Sequence, residues 1–525
     1  MACQFKSLMS YNHPDYRRTG FGPLVFSLLA LSVLALAIYW LRLPPTGENP
    51  SRNASLVVYC AAGMRMPVEE AARLFEKEYG VEVRLDFGSS GELEGKLELE
   101  RASNASRCDI YIPADFSFAE RARSKGLTLE RIPLAQFRLI LAGRTPVGQG
   151  FESVTDLLDN GFSFGICDEK AGAGKKTREV LSLMGQWETV KAQAKVTFPR
   201  VTELAGAIQT SGNVQAGFIW DSTARQFGLT IFPIAGLKHN VSTISANIVA
   251  TSSHPTWALR FARYLAASDK GAPFFKKHHF DPVRGDAWTL EPEIVFYCGG
   301  VNRDAVARAL ERFQEREGCI VKTQFAGCGT IVGSIQSGKL HPPDLFLTCD
   351  VSYMAMVQEN FNVPANVSST PICMLVRKGN PKGIDSLKDL LKPDIAIGTT
   401  DPQMSTLGAL SHAMFEEFGI KKSIEKNQSI VVTAPTAHEL ILQMEGHGKL
   451  DVVLVYEANC QHLEESVETV AIDHPMAHAT QNIAAARQTK YPHLMARLMS
   501  EMLSSRSRES FLNHGFKWEG PTPDP

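Results

Sequence analysis

The chain has 525 residues, 44% of them hydrophobic and 21% charged, with a formal net charge of −2; that is the composition of an ordinary globular protein. Near-neutrality gives no reason to expect a nucleic-acid partner, which needs a concentrated basic face. Ten cysteines are too sparse for a disulfide scaffold and show none of the spacings of structural zinc.

In chain order, the first element is apolar. Leu24 to Leu41 carries no charge and is interrupted only by Ser27 and Ser32, which is long enough to cross the hydrocarbon core of a membrane. Lys6, Arg17 and Arg18 precede it, and Tyr39 and Trp40 stand at its far end. The basic flank predicts a cytoplasmic leader at 1–20, a transmembrane signal-anchor helix at 21–43 and an extracytoplasmic linker at 44–54. The competing reading is a cleaved signal peptide, since Ala35-Leu36-Ala37 has the small-x-small form. The leader length and the apolar residues beyond that site favour the anchor.

Next, 55–64 (SLVVYCAAGM) reads as a buried strand. In 67–80, Val68, Ala71, Ala72 and Phe75 repeat at helical spacing, with Pro67 in the first turn and Gly80 as the stop. A strand at 81–87, a helix from 88 onward and a strand at 108–115 follow. This β-α-β-α-β alternation predicts a parallel sheet flanked by helices.

The pattern then returns. Tyr59, Phe75, Gly80 and Phe87 answer to Tyr297, Phe313, Gly318 and Phe325, each 238 positions on. Asp109 and Asp115 answer to Asp344 and Asp350, 235 on, and Trp220 to Tyr456, 236 on. A unit of this size holds its own core, so the chain reads as a tandem duplication with modules at 55–288 and 292–518.

In a parallel α/β sheet, ligands sit beyond the C-terminal strand ends, where helices begin. Small residues stand there in both copies: Ala61-Ala62-Gly63 and Gly88-Ser89-Ser90-Gly91, then Gly299-Gly300 and Ala326-Gly327-Cys328-Gly329. They admit a ligand to the backbone N–H groups of a helix N-terminus, which favour an anion. The alternative is that Ser89-Ser90 is an N-cap and the glycines are turns.

At these residues the chain resembles the periplasmic molybdate-binding proteins of ABC importers, and more loosely their tungstate-binding relatives. The resemblance is carried by 60–64, 87–93, 109–115, 172–181 and 217–224 in the first copy. In the second it is carried by 298–302, 325–331, 344–350, 405–415 and 452–459. It implies an α/β fold of two tandem bilobed type II periplasmic-binding-protein modules after the N-terminal transmembrane helix. Hinge strands fall near 137–144 and 242–252, then 371–378 and 481–488. The implied function is capture of a small oxyanion for ABC permease subunits, at the inner membrane with the bulk of the chain periplasmic.

Carried over by position, the first ligand serine of that family becomes Gly63 and Val301. The second is kept as Ser90 but becomes Cys328. The second-lobe backbone donor falls at Ala173 and at Leu407 or Gly408, and the tyrosine becomes Trp220 but survives as Tyr456. The expected ligand set is thus Gly63, Met64, Ser89, Ser90, Ala173, Thr202 and Trp220 in the first copy, and Val301, Cys328, Thr330, Gly408 and Tyr456 in the second. Neither copy keeps all the family's hydroxyls.

Other signals are weaker. Cys298, Cys328 and Cys349 gather near the second set of strand ends, as soft-metal ligands, a redox pair or buried apolar residues. The segment 172–177 (GAGKKT) fails as a P-loop because Lys175, not glycine, precedes Lys176-Thr177. His278-His279 sits where a terminal helix ends. No nucleophile has a credible base, so no enzyme activity, cofactor or metal site is expected. The rival readings are a ligand sensor or scaffold on the same fold, binding of another small anion or metal, and an enzyme using Cys328.

Overall fold

The computed structural model describes residues 54–144, 152–159, 161–338, 343–446, 449–461, 463 and 466–522. The apolar run and its linker lie outside the described residues. Among those described, no helix is long and apolar enough to cross a membrane.

The first module contains β1 (Ser55–Ala61), β2 (Glu82–Gly88), β3 (Ile110–Ile112), β4 (Thr128–Gly143), β5 (Phe164–Cys167), β6 (Val196–Phe198), β7 (Ala216–Trp220), β8 (Thr230–Phe232), β9 (Val241–Val249) and β10 (Asp281–Pro282). Their order is β2-β1-β3-β9-β4-β7-β5-β6, with β8 and β10 also on β4. The predicted parallel core is present: β1 pairs with β2 and β3 in parallel, and β5 pairs with β6 and β7 in parallel. The sheets as a whole are mixed, because β9 brings the chain back from the second lobe and runs antiparallel to β3 and β4.

β4 belongs to both lobes. Up to Arg138 it pairs with β9, and from Leu139 onward with β7. This change of partner falls inside the expected hinge at 137–144.

The second module repeats the plan with β11 (Glu293–Gly299), β12 (Ile320–Ala326), β13 (Leu345–Leu347), β14 (Ala365–Arg377), β15 (Ile397–Thr400), β16 (Ile430–Ala434), β17 (Val452–Tyr456), β18 (Val467–Ala471), β19 (His478–Ala485) and β20 (Lys517–Trp518). The order β12-β11-β13-β19-β14-β17-β15-β16 matches the first strand for strand. On β14, Pro371 pairs with β19 and Ile372 with β17.

Local sequence explains the elements around each cleft. In the helix Arg65–Tyr79, Val68, Ala71, Ala72 and Phe75 are buried, and Gly80 ends it at φ 70°. A left-handed stop of this kind suits glycine, which has no Cβ to clash. Its counterpart Arg303–Glu317 ends at Gly318, φ 61°. Phe75 packs among Tyr79, Phe261 and Tyr264 at ring-centroid distances of 4.9, 5.0 and 5.1 Å. The third strand is shorter than predicted because the aspartates at its ends turn to the backbone. Asp109 accepts from the Val57 N–H at 2.9 Å, and Asp115 caps the helix Phe116–Ser124.

The modules meet through their first lobes. Arg316 holds Glu130 in a bidentate pair at 2.8 and 2.9 Å, and Arg263 donates to the Glu317 carbonyl at 3.1 Å. The Asp286 carboxylate accepts from the backbone N–H groups of His493 and Leu494 at 2.8 and 2.9 Å, capping the helix Pro492–Met502 across the junction. Replacing a helix cap by alanine costs about 1 kcal/mol, up to about 2 where the cap is buried. Asp286→Ala is therefore expected to lower the midpoint of chemical denaturation by about that free energy. Asp286→Asn, which keeps an acceptor, is expected to lose less.

Candidate functional site

Each module presents a cleft where its parallel strands end and its helices begin. In the first, β1 delivers Ala61, Ala62 and Gly63, and β2 runs into Gly88, Ser89 and Ser90. The second lobe adds Ala171, Gly172 and Ala173 at the start of the helix Gly172–Leu183, Arg200 and Val201 at the start of Val201–Thr210, and Trp220 at the end of β7. The free volume between them is about 20 Å³, more than one water needs and far short of a sugar.

The two neighbouring serines do different work. Ser89 is the N-cap of the helix Ser90–Ala102, in a capping box with Glu92, so its hydroxyl oxygen and N–H are engaged within its own helix turn. Ser90 is buried, and its oxygen accepts from the Ala114 N–H at 3.0 Å, which leaves its own hydrogen available to the cleft. Tyr111 fixes the turn by donating to the Ser90 carbonyl at 2.8 Å.

Besides the expected Trp220, the cleft gathers donors that the sequence did not single out, Arg200 in its lining and Thr223 beside Gly63. A Cβ on Gly63 would lie 3.8 Å from the Thr223 hydroxyl and 3.9 Å from the Trp220 indole edge, so these fill the space a serine there would enter. Among the described residues, Trp220 Nε1, Thr223 Oγ1, Ser222 Oγ and Arg200 Nε are buried without hydrogen-bond partners. Two expected residues contribute no side chain to this lining. Met64 is wholly buried in the core, and Thr202 is one position beyond the Arg200–Val201 pair that lines the cleft.

Both clefts are shut by backbone contact between lobes. The Gly91 N–H donates to the Lys170 carbonyl at 2.8 Å, and the Thr330 N–H to the Met404 carbonyl at 3.2 Å. Glycine permits the approach: a Cβ on Gly172 would lie 2.9 Å from that of Ala114, and one on Gly329 would collide with the Gln403 carbonyl oxygen. Arg200 adds an exposed pair to Glu92 at 3.4 Å, of small value in water. Lys175 lies over the Phe118 ring at 4.9 Å, and desolvation lowers its pKa.

The second cleft keeps this backbone and changes the chemistry. Cys328 opens the helix Cys328–Gln336, and its sulfur accepts from the Cys349 N–H at 3.0 Å, as Ser90 does from Ala114. A Cβ on Gly299 would collide with the Cys349 sulfur and lie 3.2 Å from that of Cys328. A hydrogen bond from the Cys328 thiol holds the Cys349 thiol below its ordinary range despite burial, helped by the Val301 backbone. Burial pushes the Cys328 thiol well up.

Tyr456 ends β17 with its hydroxyl buried and unpaired among the described residues, and burial drives its pKa well up. Leu407 is the second residue of the helix Thr406–Glu417, as Ala173 is of its own. Gly408 instead matches Gly174. Both are glycines because a Cβ would strike the strand behind, at Thr400 and Asp168 respectively. Thr436, before the helix Ala437–Gly446, takes the place of Arg200. Cys298 points its thiol at the Gly299 carbonyl at 3.6 Å, as Cys60 does at Ala61, so it is a core residue in both copies. His278 is buried against Glu70 at 2.8 Å. Among the described residues no group of three or more His, Cys, Asp or Glu side chains is placed to hold a metal.

Two lobes sharing a hinge strand, with a donor-lined cleft at opposed helix N-termini, define a bilobed binding protein, here in duplicate. The chain belongs to the bacterial extracellular solute-binding protein family, whose model matches residues 56–281 and again 294–517. It is 26% identical to a putative binding protein of Haemophilus influenzae over 230 residues, 43% of this chain and 90% of that protein. It is also 26% identical to the molybdate-binding protein ModA of Escherichia coli over 153 residues, 27% of this chain and 57% of that protein. Among solved structures, the periplasmic molybdate-binding protein of Azotobacter vinelandii matches at 20% identity and TM-score 0.37, covering 43% of this chain and 98% of its own. The substrate-binding domain of a putative molybdenum ABC transporter from Clostridium difficile matches at 19% and 0.35, covering 44% and 100%. The duplication is thus of a whole solute-binding unit.

The closing contact is directly testable. Gly172→Ala is expected to part the first module's lobes and speed amide exchange at Gly91, read by hydrogen-exchange mass spectrometry. Gly95→Ala, whose Cβ would meet nothing within 4 Å, is expected to leave that exchange unchanged.

Proposed function

We propose that the first cleft captures a compact tetrahedral oxyanion of the molybdate and tungstate type and that the chain presents it to the permease subunits of an ABC importer. The apolar segment at 21–43 holds the protein at the inner membrane, with both modules on the extracytoplasmic side. The observation that carries this reading is the excess of donors. The cleft-lining residues include no carboxylate, while the Ser90 hydroxyl, the Trp220 indole N–H, the Thr223 hydroxyl and the Arg200 Nε–H gather around it. Two helix N-termini meet there as well, each with the partial positive charge that attracts an anion.

Each buried donor left unpaired costs about 1–3 kcal/mol, and an oxyanion offers acceptors to all of them at once. The similarity to the molybdate-binding protein of Escherichia coli supports the choice of anion. Ala173, near the start of its helix, contributes a backbone N–H, and Trp220 forms an apolar wall with one donor.

Calorimetric titration of the full chain with molybdate, tungstate, sulfate and phosphate tests the proposal. Ser90→Cys keeps an acceptor for the Ala114 N–H, as Cys328 does in the second module, but weakens the donor to the ligand. It is expected to lower affinity by about ten- to a hundredfold, roughly 1–3 kcal/mol, with little change in the melting temperature of the empty protein. Unchanged affinity would move the site elsewhere, and no binding of any oxyanion would favour a sensor or scaffold. For the anchor, intact-mass measurement of the native protein is expected to find the apolar segment retained; an N-terminus at Ile38 would identify a cleaved signal instead.

A further inference from the structure

The second cleft has the same frame as the first but the wrong side chains for an oxyanion. Thr436 replaces the guanidinium of Arg200, and the Ser90–Ala114 pair becomes Cys328–Cys349 with the backbone-to-side-chain bond unchanged at 3.0 Å. Both sulfurs crowd the strand end at Gly299, where only glycine fits between them. The hydroxyls of Thr406 and Tyr456 are buried with no hydrogen-bond partner among the described residues. Both belong to the second lobe, and Thr406 faces the two thiols.

We propose that the second cleft binds a soft monovalent metal ion, of the copper(I) class, between the thiolates of Cys328 and Cys349. Thiolates select soft ions, whereas zinc asks for four ligands, and no third His, Cys, Asp or Glu joins this pair among the described residues. Binding exchanges two S–H bonds for two sulfur–metal bonds and releases two protons, with no change in oxidation state. The resulting complex carries one negative charge. The Cys349 N–H and the hydroxyls of Thr406 and Tyr456 are donors suited to stabilise it, and no carboxylate is needed. The inference rests on reading the second module as a ligand-binding unit, but not on the oxyanion assigned to the first.

A second buried thiol pair, Cys373 and Cys460, lies in the second lobe with its sulfurs 3.9 Å apart and supplies the control. The full chain, reduced and handled without oxygen, is titrated with copper(I) against bicinchoninate as competitor. One tightly held equivalent per chain is expected. The double substitution Cys328→Ser with Cys349→Ala, which writes the first cleft's Ser90 and Ala114 into the second, is expected to lose that equivalent while molybdate titration of the first cleft is unchanged. Cys373→Ala with Cys460→Ala is expected to retain it. X-ray absorption of the copper-loaded wild-type chain, expected to show two sulfur neighbours, stands independently of how the variants fold. Absence of a competed equivalent, its survival without Cys328 and Cys349, or its loss only with Cys373 and Cys460 would overturn the proposal.

Discussion

Each module depends on one strand shared by two sheets. Because β4 changes partner between Arg138 and Leu139, and β14 between Pro371 and Ile372, the two lobes are hydrogen-bonded to a common backbone. They can rotate about it but cannot drift apart. The shared strand also fixes which ends of the sheets face each other, so the helix N-termini of one lobe oppose those of the other. The remaining approach is made mainly by main chain, Gly91 to Lys170 and Thr330 to Met404, with the exposed Arg200–Glu92 pair added in the first module. Glycine at Gly172, Gly327 and Gly329 is what lets those backbones come so close.

Since closure uses main chain, side chains in the cleft were free to diverge after duplication. Four matched positions record this: Ser90 and Cys328, Ala114 and Cys349, Arg200 and Thr436, Trp220 and Tyr456. The frame around them is conserved to the same 3.0 Å bond from the following strand end. The first cleft keeps a cation and hard hydroxyl donors, and the second has lost the cation and gained sulfur. One scaffold thus carries two electrostatic environments of different kind.

What could be read in advance was whatever the chain writes locally. The repeat offset, the helix stop at Gly80 and Gly318, and Ser90 at a helix start all follow from spacing and from residue-specific backbone preferences. The resemblance placed the hinge at 137–144. The limits appear where distant segments converge. Thr223 reaches the cleft only because β7 ends opposite Gly63, and Arg200 only because its helix begins at the lobe boundary; in sequence both are ordinary polar residues, one in the first turn of a helix and one just before another. Gly408 looked like a ligand-loop glycine, yet it is the packing partner of a strand, and Leu407 occupies the place of Ala173. Ser89 and Ser90 are indistinguishable by pattern and both are buried; the capping box of one and the bond from Ala114 to the other separate them.

The junction between modules has its own consequence. The ties described, Arg316 to Glu130, Arg263 to Glu317 and Asp286 to the helix Pro492–Met502, all run from first lobe to first lobe. The two second lobes are left as the moving parts on a common base. None of these ties reaches a second lobe, so the junction puts no hydrogen bond in the way of either lobe's opening. The junction thus fastens the duplicated units at their bases and leaves each cleft to its own hinge strand, β4 or β14.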